Sequence, residues 1–287
     1  MRLRGSLHGH VWGSTTTTQY RTNVTPEMKE ESDILAAKRR HDVQGAMLHA
    51  WSNYETFAMG KDELLPMSKG GRDNWGGMAM TLVDSLDTLW MMDMKQQFYE
   101  ARDWVSDHLD YNNMHDEVST FETTIRHLGG MLSAYELSRD DTFLSKAEDI
   151  GGRLLRSAMS YTKGNTIPKP RVFLNEADAR EGGHRSKCIA DLATLQLEFR
   201  YLSKVSGDAK YGQEAMLPFD KLAASQPADG LFPIFVLEGT DEKYSLTGNI
   251  SFGAMGDSAY EYMLKLWLQS GKTEDKYRRM YDRGEFP

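Results

Sequence analysis

The chain has 287 residues, of which 40% are hydrophobic and 26% charged, so it can bury a sizeable core and is not disordered by composition. Its net charge of −8 argues against a nucleic-acid-binding protein, which would need a basic face to neutralise phosphates. The one cysteine, Cys188, excludes a disulfide within the chain.

The N-terminal segment, residues 1–27, is polar and is predicted to be a disordered segment or linker ahead of a domain that covers residues 28–287. No apolar run approaches the roughly 18 to 20 residues that cross a bilayer. The first residues contain no apolar signal-peptide core, so no targeting signal is visible. Glycosylation sequons at Asn23 and Asn249 point toward a secreted protein, although such sequons also arise by chance.

Apolar residues at spacings of three and four predict a series of amphipathic helices. The apolar stripes fall, in chain order, within residues 43–57, 121–135, 192–202 and 260–268. Strand-like alternation is scarce, and only 171–174 and 231–237 are predicted to be short extended segments. The sequence therefore favours an all-α fold.

A repeat becomes visible when the ends of these helices are aligned. Each helix ends in a turn rich in Ser, Gly or Asp, and an aromatic residue lies in the first turn of the next helix. The aligned residues Leu137, Leu202 and Leu268 are 65 and 66 residues apart. An Asp in such a turn, for example Asp141, is a good N-cap for the second helix. Stacked helical hairpins at a regular period predict an α/α toroid or solenoid.

Two long connections lie at the opposite end of the hairpins from these short turns, at about residues 160–187 and 226–251. Loops of this length inside a compact domain are usually functional or disordered. The sequence therefore predicts that a functional site lies at the long-loop end of the hairpins.

Acidic residues cluster at this end of the predicted helices. Glu122, Asp191 and Asp257 lie near the starts of three aligned helices, so a toroid would bring them together around one cavity. Glu122 and Arg126 are one turn apart on one face, and Asp257 and Glu261 have the same spacing. Two like charges at that spacing raise the pKa of one of them.

Each of these residues also has a structural interpretation. An acid in the first turn of a helix is favoured by the helix dipole without any catalytic role, and for Glu122 alone this is the commoner case. Asp257 and Glu261 could lie on a solvated face, and Asp84 and Asp87 could be capping or surface residues. No His or Cys pair has zinc-ligand spacing, and no nucleophile elbow or phosphate loop is present. Converging carboxylates without these motifs fit glycoside hydrolysis, which needs an acid and a base around a sugar.

At these same residues the chain resembles glycoside hydrolase family 47, the class I α-1,2-mannosidases. The most specific match is residues 121–135, FETTIRHLGGMLSAY. Further matching blocks follow in the family's order at residues 40–54, 62–66, 81–89, 196–199 and 256–262. The resemblance covers about residues 38–269, which is too much of the chain for a chance match.

The resemblance implies an (α/α)7 barrel and inverting hydrolysis of α-1,2-linked mannose in high-mannose N-glycans of glycoproteins. It implies that Glu122 is the catalytic acid, acting through a water, and that Asp257 is a second essential carboxylate. The residues that it implies for the sugar-binding pocket are Arg126, Asp84, Glu198 and Glu261.

The resemblance also implies a Ca²⁺ cofactor and a location in the lumen of the endoplasmic reticulum or Golgi. Membrane association would occur only through an anchor that is absent from this chain. Met255 occupies a position at which the family members of the endoplasmic reticulum often carry Arg, so the resemblance favours a location in the Golgi.

The chain departs from the family in its extent. The family barrel closes with seven hairpins and about four are predicted here, so we expect an incomplete barrel. The family's general base and its calcium-binding threonine would follow Pro287, so no metal ligand is expected within this chain. A partial barrel would expose apolar helix faces, and we expect it to be poorly soluble and inactive.

Three alternatives to a processing mannosidase stay open on the sequence. One is a mannosidase-like lectin of glycoprotein quality control, which would bind glycans without hydrolysing them. Another is an inactive fragment. The third is an α-solenoid scaffold outside the family, which would not explain the converging acids.

Overall fold

The computed structural model describes residues 24–161, 166–175 and 187–285, and these are mainly helical. The α-helices are α1 (Pro26–Ala58), α2 (Met80–Asp84), α3 (Leu86–Met91), α4 (Lys95–His108), α5 (Thr120–Glu122), α6 (Gly129–Ser138), α7 (Asp141–Ala158), α8 (Ile189–Ala193), α9 (Gln196–Ser206), α10 (Lys210–Ala224), α11 (Asp257–Gln269) and α12 (Asp275–Glu285). A 3₁₀ turn covers Tyr111–Asn113 and a π-helical segment covers Thr123–Leu128. The strands are β1 (Glu63–Leu65), β2 (Gly70–Arg72), β3 (Val118–Ser119), β4 (Arg171–Val172), β5 (Pro233–Leu237) and β6 (Ser245–Ile250).

The chain forms two compact units, Met1–His49 and Ala50–Pro287, and their boundary falls inside α1. Pro26 and Glu27, the last residues of the predicted linker, are helical. Most of that linker, residues 1–23, and with it the sequon at Asn23, lies outside the described residues.

The apolar stripe predicted within residues 43–57 is buried only in part. Val43, in the first unit, is 54% exposed. In the second unit α1 buries Trp51 and Tyr54, and their rings lie 5.4 Å apart. The spacing therefore predicted the helix correctly but overestimated the length of its buried face.

Four helical hairpins are present in the described part of the second unit, as the repeat predicts. Helix α3 packs against α4, α6 against α7, α9 against α10 and α11 against α12. The first helices of the hairpins contact one another in the order α3, α6, α9, α11, and α4, α7 and α10 do so in a second layer. This arrangement places the starts of the first helices next to one another.

The short turns at the other end follow the predicted capping chemistry, with one shift. Asp140 caps α7, because its side chain accepts a hydrogen bond from Thr142 N at 2.9 Å, whereas Asp141 is already the first helical residue. Before α10, Asp208 Oδ1 accepts from Lys210 N at 3.0 Å. The predicted N-cap at Asp141 is therefore wrong by one residue, while the reason for an Asp in the turn holds.

Short strands lie at the long-loop end. Strands β4 and β5 fall within the predicted extended segments 171–174 and 231–237 and confirm them. β4 pairs antiparallel with β3, with Val118 opposite Val172, and β5 pairs antiparallel with β6, with Leu237 opposite Ser245. The β1–β2 and β5–β6 pairs show more sheet than the sequence predicts. Residues 162–165 and 176–186 of the first connection lie outside the described part of the chain.

A hydrophobic cluster packs α8, α10, α11 and α12 together with β5. Its buried rings include Phe219, Phe232, Tyr260 and Tyr277. Phe232 N donates to the Tyr260 hydroxyl at 2.8 Å, which ties the connection after α10 to α11. The core thereby fixes the start of α11, where Asp257 lies.

Candidate active site

Glu122 lies where β3 enters the helical segment that leads to α6. Ser119 caps this turn, because its Oγ accepts from Glu122 N at 3.3 Å. Thr120 joins the same turn to the first long connection: its N donates to Pro170 O at 3.0 Å and its Oγ1 to Lys169 O at 2.6 Å. The backbone at Glu122 is therefore held by the long-loop end of the hairpins.

The π-helical segment Thr123–Leu128 follows Glu122 directly. Such turns are rare, and they occur frequently at functional sites. Within this segment Arg126 Nε donates to Glu122 Oε2 at 2.6 Å. The structure therefore joins Glu122 to Arg126, as the spacing predicts, through a helix type that the sequence does not predict.

Asp84, the last residue of α2, binds the same guanidinium. Arg126 Nη1 donates to Asp84 Oδ2 at 3.2 Å, so the guanidinium bridges carboxylates from two helical segments. The pKa of Arg126 is raised, first by its hydrogen bond to Glu122. Asp87 has a different partner: it accepts from Ser133 Oγ at 2.8 Å and ties α3 to α6.

A loop anchored by Asp62 lies beside this cluster. The Asp62 carboxylate is fully buried and accepts from three backbone N–H groups, those of Trp75 at 2.7 Å, Gly77 at 2.8 Å and Met80 at 3.1 Å. Such charge-assisted bonds are strong and fix the course of the loop. The guanidinium carbon of Arg126 lies 5.7 Å from the centroid of the Trp75 ring. In the sequence, residues 62–66 and 70–75 contributed only to the family resemblance, and no contact was predicted for Asp62 or Trp75, because only the fold brings this loop to the π-helical segment.

Asp191 lies in α8, three residues after the buried Cys188. Asp191 Oδ2 accepts from Cys188 N at 3.4 Å and from Cys188 Sγ at 3.2 Å. Burial raises the pKa of Asp191, and the negative charge of Glu122 raises it further. This electrostatic interaction places Asp191 near Glu122, in line with the predicted convergence of helix starts.

Glu198 forms a second acidic centre, on α9. Tyr262 of α11 donates to Glu198 Oε1 at 2.6 Å, whereas Oε2 is buried and has no hydrogen-bond partner among the described residues. Burial raises the pKa of Glu198 to about 7, against the lowering effect of the Tyr262 hydroxyl. Lys265 and Glu261 act on it from α11, the first lowering and the second raising the pKa.

A cavity of about 330 Å³ between α6 and α9 borders Glu198. Its lining residues are Gly129, Leu132, Ser133, Glu136, Leu137, Leu197, Glu198 and Tyr201. Three of these residues are leucines, and Ser133, Glu136 and Tyr201 add polar groups. The raised pKa of Glu198 follows from burial of its carboxyl group, since burial disfavours the ionised form.

Glu261 and Asp257 lie one turn apart on α11 but are not paired. Glu261 forms an ion pair with Lys265, one turn further along the helix. Asp257 Oδ1 accepts from Ser258 N at 2.9 Å. The one-turn spacing placed both acids on α11 correctly, but the partner of Glu261 is a lysine and not the second acid.

The start of α11 is anchored to α8. Ala190 N donates to Met255 O at 3.1 Å, and Thr194 Oγ1 donates to Ser258 Oγ at 2.8 Å. Because of these two hydrogen bonds, the starts of α8 and α11 adjoin, and α8 also carries Asp191.

The six predicted site residues therefore form three groups. Glu122, Arg126 and Asp84 make one hydrogen-bonded cluster. Glu198 and Glu261 belong to a second centre on α9 and α11. The hydrogen bonds and ion pairs within residues 24–161, 166–175 and 187–285 connect Asp257 to neither group.

Other site types find no support in the described residues. They contain no group of three or more His, Cys, Asp or Glu that could hold a metal ion. Burial raises the pKa of the Cys188 thiol to about 12, so the thiol stays protonated at neutral pH. No helix in the described part of the chain is both long enough and apolar enough to cross a bilayer.

Comparisons of the sequence with a family profile and with known proteins agree with one another. The sequence profile described as "Glycosyl hydrolase family 47" matches residues 46–284. The chain is 45% identical over 259 residues to a mannosyl-oligosaccharide 1,2-alpha-mannosidase of Arabidopsis thaliana, a match that covers 88% of this chain and 45% of the relative. It is 43% identical over 249 residues to an endoplasmic reticulum mannosyl-oligosaccharide 1,2-alpha-mannosidase of Rattus norvegicus, covering 86% of this chain and 37% of that protein. The chain thus spans less than half the length of either relative.

A solved structure shows the same helical architecture. The alpha-1,2-mannosidase from Trichoderma reesei superposes with a TM-score of 0.77 at 27% sequence identity. The superposition covers 85% of this chain and 53% of that one. The layered hairpins described above are therefore shared with a solved protein over most of their length.

Proposed function

Because the chain belongs to glycosyl hydrolase family 47, we propose that it is part of an α-1,2-mannosidase that trims mannose from high-mannose N-glycans. The relatives from Arabidopsis thaliana and Rattus norvegicus carry mannosyl-oligosaccharide 1,2-alpha-mannosidase names, which supports this substrate class. The observation that carries the proposal is the bond of 2.6 Å from Arg126 to Glu122 at the long-loop end of the hairpins.

Glu122 is proposed as the general acid. Inverting glycosidases protonate the leaving oxygen with one carboxyl group and activate a water with another on the opposite face of the sugar. Arg126 occupies Oε2 of Glu122, so we assign the transferable proton to Oε1, which would pass it to the glycosidic oxygen through a water. The Ser119 cap and the bond to Arg126 together restrict the direction of the carboxyl group.

Asp257 is proposed as a second essential carboxylate, acting from the start of α11. The two carboxyl groups of an inverting enzyme stand roughly 6.5–9.5 Å apart, which leaves room for the attacking water. Arg126, Asp84, Glu198 and Glu261 are proposed to line the sugar pocket. The guanidinium and the carboxylates suit this role, because they can donate to and accept from sugar hydroxyls.

The four hairpins are proposed to be part of an (α/α)7 barrel, which the likeness to the Trichoderma reesei enzyme supports. The family resemblance implies Ca²⁺, but the described residues do not fit a metal ion, so no step here runs through calcium. A location in the secretory pathway is supported by the name of the Rattus norvegicus relative. Family members of the endoplasmic reticulum often carry Arg at the position of Met255, and the Met at this position favours a location in the Golgi.

The test uses α-1,2-linked mannobiose and the 287-residue chain. Binding is measured by ligand-observed NMR, and free mannose is followed in the same tube. We expect binding that weakens in Glu122→Gln and Arg126→Lys, and any mannose released should appear first as the β anomer, the product of inversion. Glu148→Gln, on α7, serves as the matched control and should bind like the wild type.

The outcomes separate the competing functions. Binding with release of β-mannose supports the mannosidase. Binding without release fits the lectin and equally a part of a mannosidase that is inactive by itself, as expected from the sequence. Equal binding by Glu122→Gln would remove Glu122 from the site. A folded chain that neither binds nor cleaves mannobiose contradicts the proposal.

A further inference from the structure

The Arg126 guanidinium is held from three directions. Glu122 binds its Nε at 2.6 Å, Asp84 binds its Nη1 at 3.2 Å, and the Trp75 ring centroid lies 5.7 Å from its Cζ. The side chain is still 40% exposed, so water competes for these hydrogen bonds. A guanidinium in this setting needs support beyond its two carboxylates to keep one orientation.

Trp75 is itself fixed at both its backbone and its indole nitrogen. Its N donates to the buried Asp62 at 2.7 Å, and its Nε1 donates to Glu63 Oε1 at 2.9 Å. Arg72 binds the other oxygen of Glu63 through Nε at 3.0 Å and Nη2 at 2.5 Å. Hydrogen bonds from Trp75 and then from Arg72 lower the pKa of Glu63 to about 2, so this acceptor stays ionised at neutral pH. The ring therefore has a defined position before any contact with Arg126 is counted.

The loop that carries Trp75 packs closely against the strand that precedes Glu122. Gly76 has a left-handed backbone with φ of 93°, and a Cβ at this position would lie 2.5 Å from Val118 Cγ1. Val118 belongs to β3, which leads directly into the turn that contains Glu122. The Trp75 loop is thus packed closely against the strand that leads into the Glu122 turn.

We propose that Trp75 is a positioning residue of the candidate active site, which holds the Arg126 guanidinium against Glu122 and Asp84. Trp75 acts through Arg126 and is assigned no contact with the sugar. Its meaning for catalysis rests on the proposed function, whereas the positioning rests on the contacts described above. Loss of the ring would let the guanidinium turn toward solvent and would leave the two carboxylates less well neutralised.

Arg278 provides a matched control within the same chain. Its Nε donates to Asp282 at 2.7 Å, one helical turn away, and its Cζ lies 5.1 Å from the Trp267 ring centroid. Its exposure is 41%, close to the value for Arg126. Trp267 lies near the end of α11 and also contacts Lys272, whose Nζ is 5.4 Å from its ring centroid. No hydrogen bond or ring contact of the described residues joins Trp267 to Arg126, so its loss should affect Arg278 and leave Arg126 unchanged.

The experiment measures hydrogen exchange at the Nε–H of both arginines by NMR in the full 287-residue chain. The variants Arg126→Lys and Arg278→Lys assign the two signals. We expect Trp75→Ala to speed exchange at Arg126 by about two- to fivefold, the factor that a cation–π contact supplies at an exposed site, and to leave Arg278 unchanged. Trp267→Ala is expected to do the reverse.

A second variant keeps the test decisive if Trp75→Ala does not fold. Trp75→Phe retains an aromatic ring but cannot donate to Glu63, so it should give a smaller acceleration at Arg126. Unchanged exchange at Arg126 in the folded Trp75 variants overturns the proposal. Equal acceleration at both arginines also overturns it, because that result reports general loosening.

Titration with α-1,2-linked mannobiose distinguishes failure of this inference from failure of the proposed function. Weaker binding by Trp75→Phe, together with faster exchange at Arg126, supports the positioning role. If Trp75→Phe binds mannobiose as tightly as the wild type although exchange at Arg126 is faster, the proposal that Trp75 matters for the site is overturned. If the wild type does not bind mannobiose, the proposed function fails, and the exchange result alone decides whether Trp75 positions Arg126.

Discussion

Glu122 and Glu198 lie on neighbouring helical segments, but the protein balances their charges by different means. Glu122 has a guanidinium at 2.6 Å, which Asp84 shares. Glu198 has a neutral tyrosine hydroxyl at 2.6 Å and one buried oxygen without a partner among the described residues. One acid is therefore held by an ion pair that is open to water, and the other lies in an apolar setting with a pKa near neutrality.

This difference shows how two carboxyl groups on neighbouring segments can have different electrostatic surroundings. Environments that treat two carboxyl groups differently are the usual origin of separate acid and base roles in glycosidases. Here the distinction arises from the identity of the neighbours, Arg126 for Glu122 and Tyr262 for Glu198. The predictions below change each set of neighbours in turn.

The largest effect is expected from Asp62→Asn, which breaks the support on the Glu122 side. The buried carboxylate accepts three backbone N–H groups, and an amide nitrogen in place of one oxygen cannot accept them. We expect the free energy of unfolding to fall by about 3 kcal/mol, since hydrogen bonds to buried charged groups are worth about 1.5–3 kcal/mol each. Urea unfolding at pH 7 measures this loss.

Asp73→Asn is the control for that substitution. Asp73 lies in the same loop and pairs with Lys61 at 2.7 Å, but its side chain is 35% exposed. Its loss should cost less than about 1 kcal/mol, as for other exposed ion pairs. Similar losses for the two variants would show that burial of Asp62 is not what stabilises the loop.

The next effect is a pH dependence that originates on the Glu198 side. Burial raises the pKa of Glu198 from 4.5 to about 7, so its contribution to stability is complete below about pH 4.5 and is lost as the pH rises through about 7. The corresponding fall in the free energy of unfolding is at most about 3 kcal/mol. Urea unfolding at pH 5 and pH 8 should show this fall in the wild type and less of it in Glu198→Gln.

Tyr262→Phe sharpens the same prediction. The hydroxyl of Tyr262 lowers the pKa of Glu198, so its removal should raise that pKa further and move the loss of stability to higher pH. The carboxyl ¹³C shift of Glu198 measures the change directly. A downward shift of the pKa in Tyr262→Phe would contradict the proposed hydrogen-bond direction.

The smallest effect on stability is expected from Arg126→Lys. Arg126 is 40% exposed, so its ion pairs should contribute less than about 1 kcal/mol to the free energy of unfolding. A lysine cannot reproduce a planar fork that reaches two carboxylates at once, so binding of mannobiose should weaken while the unfolding curve hardly changes. A large loss of stability without a change in binding would make Arg126 a structural residue.

The hairpins could be predicted from the sequence because their signals are local. Apolar spacing marks the helices, and Asp, Ser and Gly mark the turns, so Leu137 and Leu202 align correctly even though the N-cap of α7 is Asp140 and not Asp141. The pair of Glu122 and Arg126 is local in the same sense. Strands β4 and β5 were also predicted, since their residues favour extended structure.

The contacts that distinguish Glu122 from Glu198 could not be predicted, because they join residues far apart in the chain. The interaction of Trp75 with Arg126 needs the loop to fold back on Asp62, and the bond from Tyr262 to Glu198 needs α9 and α11 to adjoin. Spacing also does not decide between competing partners on one helix. Glu261 therefore pairs with Lys265, whereas the spacing suggested an interaction with Asp257.

The π-helical segment Thr123–Leu128 makes the site sensitive to residue number as well as to residue type. A π turn accommodates an extra residue relative to an α turn, because its hydrogen bonds span five residues and not four. Deleting one residue here would let the segment continue as an α-helix with its two ends in about the same orientation, because the wider turn is what absorbs the extra residue. The four-residue spacing from Glu122 to Arg126 would then be broken or would follow the geometry of an α turn, so the angle between the two side chains would change. A one-residue change in length can therefore disturb this pair although neither side chain has been replaced.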